Sequence, residues 1–104
     1  MQSFKHIDVA GTATLMQQGA KVFDIRDPDS FAQSHIPGSA HLTNNNLQQV
    51  ITELSTDTPV VICCYHGISS QQAAQYFVAQ GFDDVYSMDG GFEAWKQSMP
   101  SESA

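Results

Sequence analysis

Basic residues are scarce in this chain: Lys and Arg together number 4 among 104 residues, against 11 Asp plus Glu, for a formal charge of -7. Nucleic-acid binding is disfavoured by that balance, because neutralising phosphates takes clustered cations, and anionic membrane surfaces are disfavoured for the same reason. Long apolar runs are missing too, so no membrane-spanning segment is expected. The N-terminal stretch MQSFKHIDVAG has neither a basic segment followed by a long apolar one nor a small-residue cleavage pattern, which makes a cytoplasmic location the default expectation. Cysteine is limited to the adjacent pair Cys63 and Cys64. A bridge between neighbours is strained, so a structural disulfide is not expected and both thiols are read as reduced. The four histidines, His6, His35, His41 and His66, fall into neither C-x-x-C nor H-x-x-x-H spacing, and no metal or cofactor is expected.

What is present alternates short apolar segments with amphipathic ones. Lys5 to Val9 suits a strand with Ile7 and Val9 on one face, and Thr12 is a candidate N-cap for a helix through Leu15 and Met16 that Gly19 ends. Lys21 to Ile25 is a second strand. Asp27 followed by Pro28 has the order that opens a helical turn through Phe31 and His35. After the turn at Pro37-Gly38, a third strand is expected around Ala40. Leu47, Val50, Ile51 and Leu54 then follow helical spacing, with asparagines before them as cap groups. Asp84 to Met88 reads as the fifth strand, and Phe92, Trp95 and Met99 mark the inward stripe of a last helix stopped by Pro100. The tail from Ser101 to Ala104 is expected to fray. No repeat or linker interrupts the chain. At this length it is read as one domain over residues 1–104, an α/β fold with a mostly parallel five-stranded sheet covered on both faces.

The stretch with chemical content is PVVICCYHGISSQQAAQYFVAQG, Pro59 to Gly81. Val60 to Cys64 is an unbroken apolar run that reads as a buried strand. Ala73, Ala74, Phe77 and Val78 share one face of a helix that Gly81 stops. The turn between them, Tyr65 to Ser69, presents free amides beside a helix N-terminus, and both features favour an anion. Cys64 is therefore the candidate nucleophile, its thiol activated by those groups. Strand alternation sends Cys63 to the opposite face as a small buried hydrophobe. Tyr65, His66 and Ile68 are expected to line the mouth, with His66 on the rim rather than acting as a base. Gly67 is expected to permit the turn, and Ser69 and Ser70 to cap the helix before serving as donors. A cysteine phosphatase needs an arginine six residues after its nucleophile to clamp phosphoryl oxygens. Ser70 stands at that position, so the cradle suits the compact outer sulfur of a persulfide better than a phosphate.

These residues make the chain similar to the rhodanese family of sulfurtransferases. DIRDPDSFAQSHIPGSAHL resembles a family segment through Asp24, Arg26, Phe31, His35, Ile36, Pro37, Gly38 and Ala40, with Ser34 where glycine is frequent. Cys64 to Ser69 matches the six-residue active loop, and VYSMDGGFEAW resembles the closing segment through Gly90, Gly91, Ala94 and Trp95. The resemblance implies a rhodanese-like fold and a persulfide carried on Cys64. It also implies transfer of sulfane sulfur from thiosulfate to cyanide or to a dithiol such as thioredoxin. The alternative it leaves open is a sulfur carrier or partner-binding module with low thiosulfate activity. Arg26 has two candidate roles, orienting the donor's sulfonate or bracing the site through an ion pair with Asp24 or Asp27.

Overall fold

The computed structural model describes residues 3–103. Strands β1 (Lys5–Ile7), β2 (Lys21–Asp24), β3 (Ala40–His41), β4 (Val60–Cys63) and β5 (Val85–Met88) alternate with helices α1 (Val9–Gln17), α2 (Pro28–Gln33), α3 (Leu47–Glu53), α4 (Ser69–Ala79) and α5 (Gly91–Ser98). The strands form one sheet in the order β1-β5-β4-β2-β3, with every strand pairing parallel. The result is the expected single α/β domain. No helix among the described residues is long and apolar enough to cross a membrane.

Parallel strands need crossover helices, and those helices bury both faces of the sheet. Alternation along β4 divides its side chains accordingly. Val60 and Ile62 join Phe23, Phe77, Phe82 and Val85 in a core that α3 and α4 cover, while Val61 and Cys63 join Val22, Met88, Phe92 and Trp95 in a second core under α1 and α5. All four β4 residues are buried, as a central strand coated on two sides requires. Cys63 thus occupies the opposite face as a buried apolar group.

Several local expectations are corrected. Helix α1 begins four residues earlier than a Thr12 cap implies, because Asp8 is the N-cap and its carboxylate accepts the Gly11 N–H at 2.7 Å. Thr12 lies inside the helix, buried, with its hydroxyl donating to the Asp8 carbonyl at 2.9 Å. Val9 consequently opens the helix instead of extending β1. At α3, Asn46 occupies the cap position without capping. Its side chain turns back, accepting from Thr43 N–H at 2.7 Å and donating to the His41 carbonyl at 2.9 Å, so it braces the turn that precedes the helix. Asp27 and Pro28 do open α2 in the expected order, with Asp27 accepting the Ser30 N–H at 3.1 Å.

The end of the chain is also better tied than a fraying tail. Glu102 exchanges both backbone hydrogen bonds with His35, at 2.8 and 2.9 Å, and its carboxylate lies 3.3 Å from His35 Nε2. The Trp95 indole donates to the Pro100 carbonyl at 2.9 Å on the way. A pairing of residues 67 apart in sequence has no local signal, which is why composition alone points to fraying. Ala104 lies outside the described residues.

Candidate active site

β4 ends at Cys63, and Cys64 is the first residue of the loop beyond its carboxyl end, the edge where open parallel sheets bind ligands. The loop curls so that its N–H groups converge on the Cys64 sulfur. Gly67 N–H donates to Sγ at 3.1 Å, Ser70 N–H at 3.2 Å, and the Ser70 hydroxyl lies 3.2 Å away. Burial of Cys64 by itself raises its pKa. The Ser70 hydroxyl and the amides of Ser70, Gly67 and His66 outweigh that burial, and the thiol ends below its ordinary value. Neighbouring Cys63 behaves in the opposite way: burial first, then the Asp24 carboxylate, push its thiol far up, so it stays protonated.

Amides can point inward only if the loop's carbonyls are held outward, and the start of α5 does this. Phe92 N–H donates to the Cys64 carbonyl at 2.7 Å, and Glu93 N–H donates to the Tyr65 carbonyl at 3.1 Å. The contact is close enough that a Cβ on Gly91 would stand 2.4 Å from the Cys64 oxygen. Gly67, at φ +86°, is similarly confined, since a Cβ there would meet Gly90 N at 2.8 Å and Met88 O at 2.9 Å. The Gln71 amide donates to the Gly67 carbonyl at 2.9 Å from the first turn of α4. The two loop-contacting glycines and the inward amides are thus one construction, a backbone nest closed by a neighbouring helix.

The remaining expected site residues divide. Ile68 is 74% exposed on the loop and His66 is also exposed, its ring making no hydrogen bond to the sulfur, as a rim position requires. Tyr65 is tied to α2: its hydroxyl shares a hydrogen bond with Ser30 Oγ at 3.0 Å and donates to Asp27. Ser69 opens α4 and Ile68 precedes it without a side-chain cap. Ser70 is corrected from cap to sulfur contact, because its hydroxyl faces inward to Cys64 and, at 2.7 Å, to Ser87 Oγ.

Arg26 is turned from the sulfur towards the protein. Its Nη2 lies 2.8 Å from Asp24 Oδ2, its Nε reaches both Asp24 oxygens at 3.1 and 3.0 Å, and Nη2 also donates to the Ser34 carbonyl at 2.6 Å. The guanidinium packs 4.1 Å from the Phe92 ring centroid and 5.7 Å from that of Tyr65. Both side chains of the ion pair are almost wholly buried. A buried fork committed to one carboxylate and one carbonyl joins β2, α2 and the start of α5, so the bracing role is the one its contacts support. The His41 ring reinforces this strand end, with Nε2 2.6 Å from the Arg26 carbonyl. A cavity of about 510 Å³ opens between α4 and the β3–α3 connection, touching the loop at Ser69 but not walled by Cys64.

Two participants escape a reading of the sequence alone. Gly91 is visible as part of a turn and of the closing family segment but not as a contact of the Cys64 carbonyl, and Ser87 only as a polar residue on the same strand face as buried Val85. That second signal is legible in principle, since a hydroxyl on an inward strand position needs a partner.

A family model described as a rhodanese-like domain matches residues 10–98. The chain belongs to that family. It is 54% identical over 104 residues to the thiosulfate sulfurtransferase GlpE of Pseudomonas fluorescens (strain Pf0-1), covering 100% of this chain and 95% of that protein. It is 51% identical over 106 residues to the protein of the same name from Vibrio cholerae, covering both in full at 100%. In structure it is similar to a thiosulfate sulfurtransferase from Pseudomonas aeruginosa, with a TM-score of 0.86 and 27% identity, over 99% of this rhodanese domain and 20% of that longer chain.

Proposed function

We propose that this rhodanese is a thiosulfate sulfurtransferase with Cys64 as its sulfur carrier. The observation that carries the reading is the convergence of the Gly67 and Ser70 amides and the Ser70 hydroxyl on one sulfur, in a loop with no clamping arginine. Full-length identity of 54% to a relative named for this activity supports it. The Cys64 thiolate attacks the outer sulfur of thiosulfate, a sulfur–sulfur bond forms, and the electron pair of the broken bond leaves on sulfite. The cysteine then holds a persulfide whose negative charge the amides of His66, Gly67 and Ser70 stabilise. Cyanide takes the outer sulfur as thiocyanate. A dithiol of the thioredoxin kind takes it as a persulfide and releases hydrosulfide on closing its own disulfide. Either acceptor returns the Cys64 thiolate. The cytoplasm, where such dithiols are kept reduced, is the location that fits this chemistry.

Exposed Ile68, with Tyr65 beside it, favours a protein as the natural acceptor over a small anion, because an apolar rim suits a docked surface. Intact mass after incubation with thiosulfate tests the central claim. The mass should rise by one sulfur atom, return to its starting value on adding cyanide or a dithiol, and stay unchanged throughout in Cys64→Ser. Absence of the adduct on the wild-type chain would overturn the reading.

A further inference from the structure

We propose that Ser87 is a positioning residue for Cys64: by donating its hydrogen bond to Ser70 Oγ, it keeps the Ser70 hydroxyl aimed at the sulfur. The inference rests on Cys64 being the reacting sulfur. Ser87 lies on β5, whose register places it opposite Ile62 of β4, two residues before the nucleophile. It shares its strand face with Val85, towards α4, and so meets Ser70 in the first turn of that helix. Both serines are 0% exposed, so neither hydroxyl is open to bulk water. Among the described residues, the side chain of Ser87 hydrogen-bonds to Ser70 Oγ alone, at 2.7 Å.

Counting hydrogens gives the chain Ser87–Ser70–Cys64 a direction. Two gaps are to be bridged, one between the oxygens and one between Ser70 and the sulfur. With Cys64 as a thiolate there are two hydrogens for the two gaps: Ser70 donates to the sulfur, and Ser87 donates to Ser70. Nothing is left over. With Cys64 as a thiol a third hydrogen enters, and one of the three must leave the chain or stay unpartnered in a buried place, which is costly. The pair therefore favours the thiolate by arithmetic as well as by polarity. A hydroxyl that accepts a hydrogen bond is also a stronger donor, so Ser87 strengthens the contact that Ser70 makes. Ser87 is not a catalytic residue in this scheme, since it never touches the sulfur.

The test is the pH dependence of Cys64 alkylation by iodoacetamide, located by tandem mass spectrometry, together with thiolate absorbance. Ser87→Ala should move the profile to higher pH and slow alkylation near neutrality by about threefold to tenfold. In a Ser70→Ala background the same substitution should change nothing further, because its effect passes through that hydroxyl. Ser87→Thr and Ser87→Val, matched in shape, cover the case of a disturbed core. Thr should keep the wild-type profile and Val should shift it. Superimposable profiles for wild type and Ser87→Ala, an equal shift with and without the Ser70 hydroxyl, or coincident Thr and Val profiles would each overturn the proposal. Alkylation uses no sulfur donor, so its outcome is independent of whether thiosulfate is the substrate.

Discussion

The carbonyl of Cys64 and the backbone of Gly91 are in contact so close that a Cβ on the glycine would stand 2.4 Å from that oxygen. The next residue, Phe92, donates its N–H to the same oxygen at 2.7 Å. Helix α5 thereby holds the peptide unit of the proposed nucleophile, and the loop amides are free to face the sulfur. Its position is set by the absence of a side chain.

Gly91→Ala should therefore impair transfer while leaving the fold intact. The added methyl displaces the Cys64 and Tyr65 carbonyls and rotates the inward amides, and a misplacement of that kind costs on the order of 100-fold in turnover. Steady-state kinetics alongside circular dichroism would check it. Turnover within twofold of wild type would show that the contact is not needed to shape the loop.

Breaking the Asp24–Arg26 pair should act on stability first. Removing one partner leaves the other charge buried and uncompensated, so Asp24→Ala is expected to lower unfolding free energy by about 3 to 5 kcal/mol. Arg26→Lys keeps the charge but loses the fork to Asp24 and Ser34, and should fall between. Denaturant melts measure both. If Arg26→Lys instead melts normally and raises the KM for thiosulfate tenfold, the guanidinium reaches the donor after all.

The two thiols predict opposite pH behaviour. Cys64 is lowered because the Ser70 hydroxyl and the loop amides overcome its burial, so its reactivity should reach a plateau below the ordinary thiol value of roughly 8.5. Its lowered pKa contributes stability that is present above the unfolded value and lost as pH falls through the folded one. Cys63 is raised, mainly by burial, so its contribution is present below the unfolded value and is lost as pH rises towards the folded one. Urea melts at neutral and alkaline pH should show the wild type losing more stability on the alkaline side than Cys63→Ala does. Equal losses would mean that Cys63 titrates like a free thiol. Turnover of Cys63→Ala should stay within about threefold of wild type, with roughly 1 kcal/mol of stability lost to the smaller side chain.

Ile68→Asp tests the rim. Like charge on an already acidic chain and loss of an apolar contact should raise the KM for a thioredoxin-like acceptor by about tenfold, worth roughly 1.4 kcal/mol. Formation of the persulfide from thiosulfate should change far less, because the backbone amides are untouched. Parallel loss with cyanide as the acceptor would argue that Ile68 shapes the loop rather than receiving a partner.

Much of the active loop is legible without coordinates because its signals are local. A strand that ends in Cys64, a glycine at Gly67 and a helix from Ser69 specify where the amides are. The count from Cys64 to Ser70 shows that no arginine follows. The same locality explains the errors. Thr12 and Asp8 are both good caps, and the choice between them depends on where β1 stops. Ser70 is a good cap by composition, but the geometry of the loop turns its hydroxyl to the sulfur.

By itself, then, the sequence determined the order of strands and helices, the two-sided burial of β4 and the choice of Cys64 as the candidate thiol, since all three follow from periodicity and from short-range backbone chemistry. Only the tertiary structure decided what surrounds that thiol. Ser87 meets Ser70, Gly91 meets the Cys64 carbonyl, Arg26 closes on Asp24 and Ser34, and Glu102 pairs with His35. The physical reason is register: partners that meet across a parallel sheet or at a helix end are brought together by the packing of whole elements, and no spacing along the chain encodes the distance between their atoms.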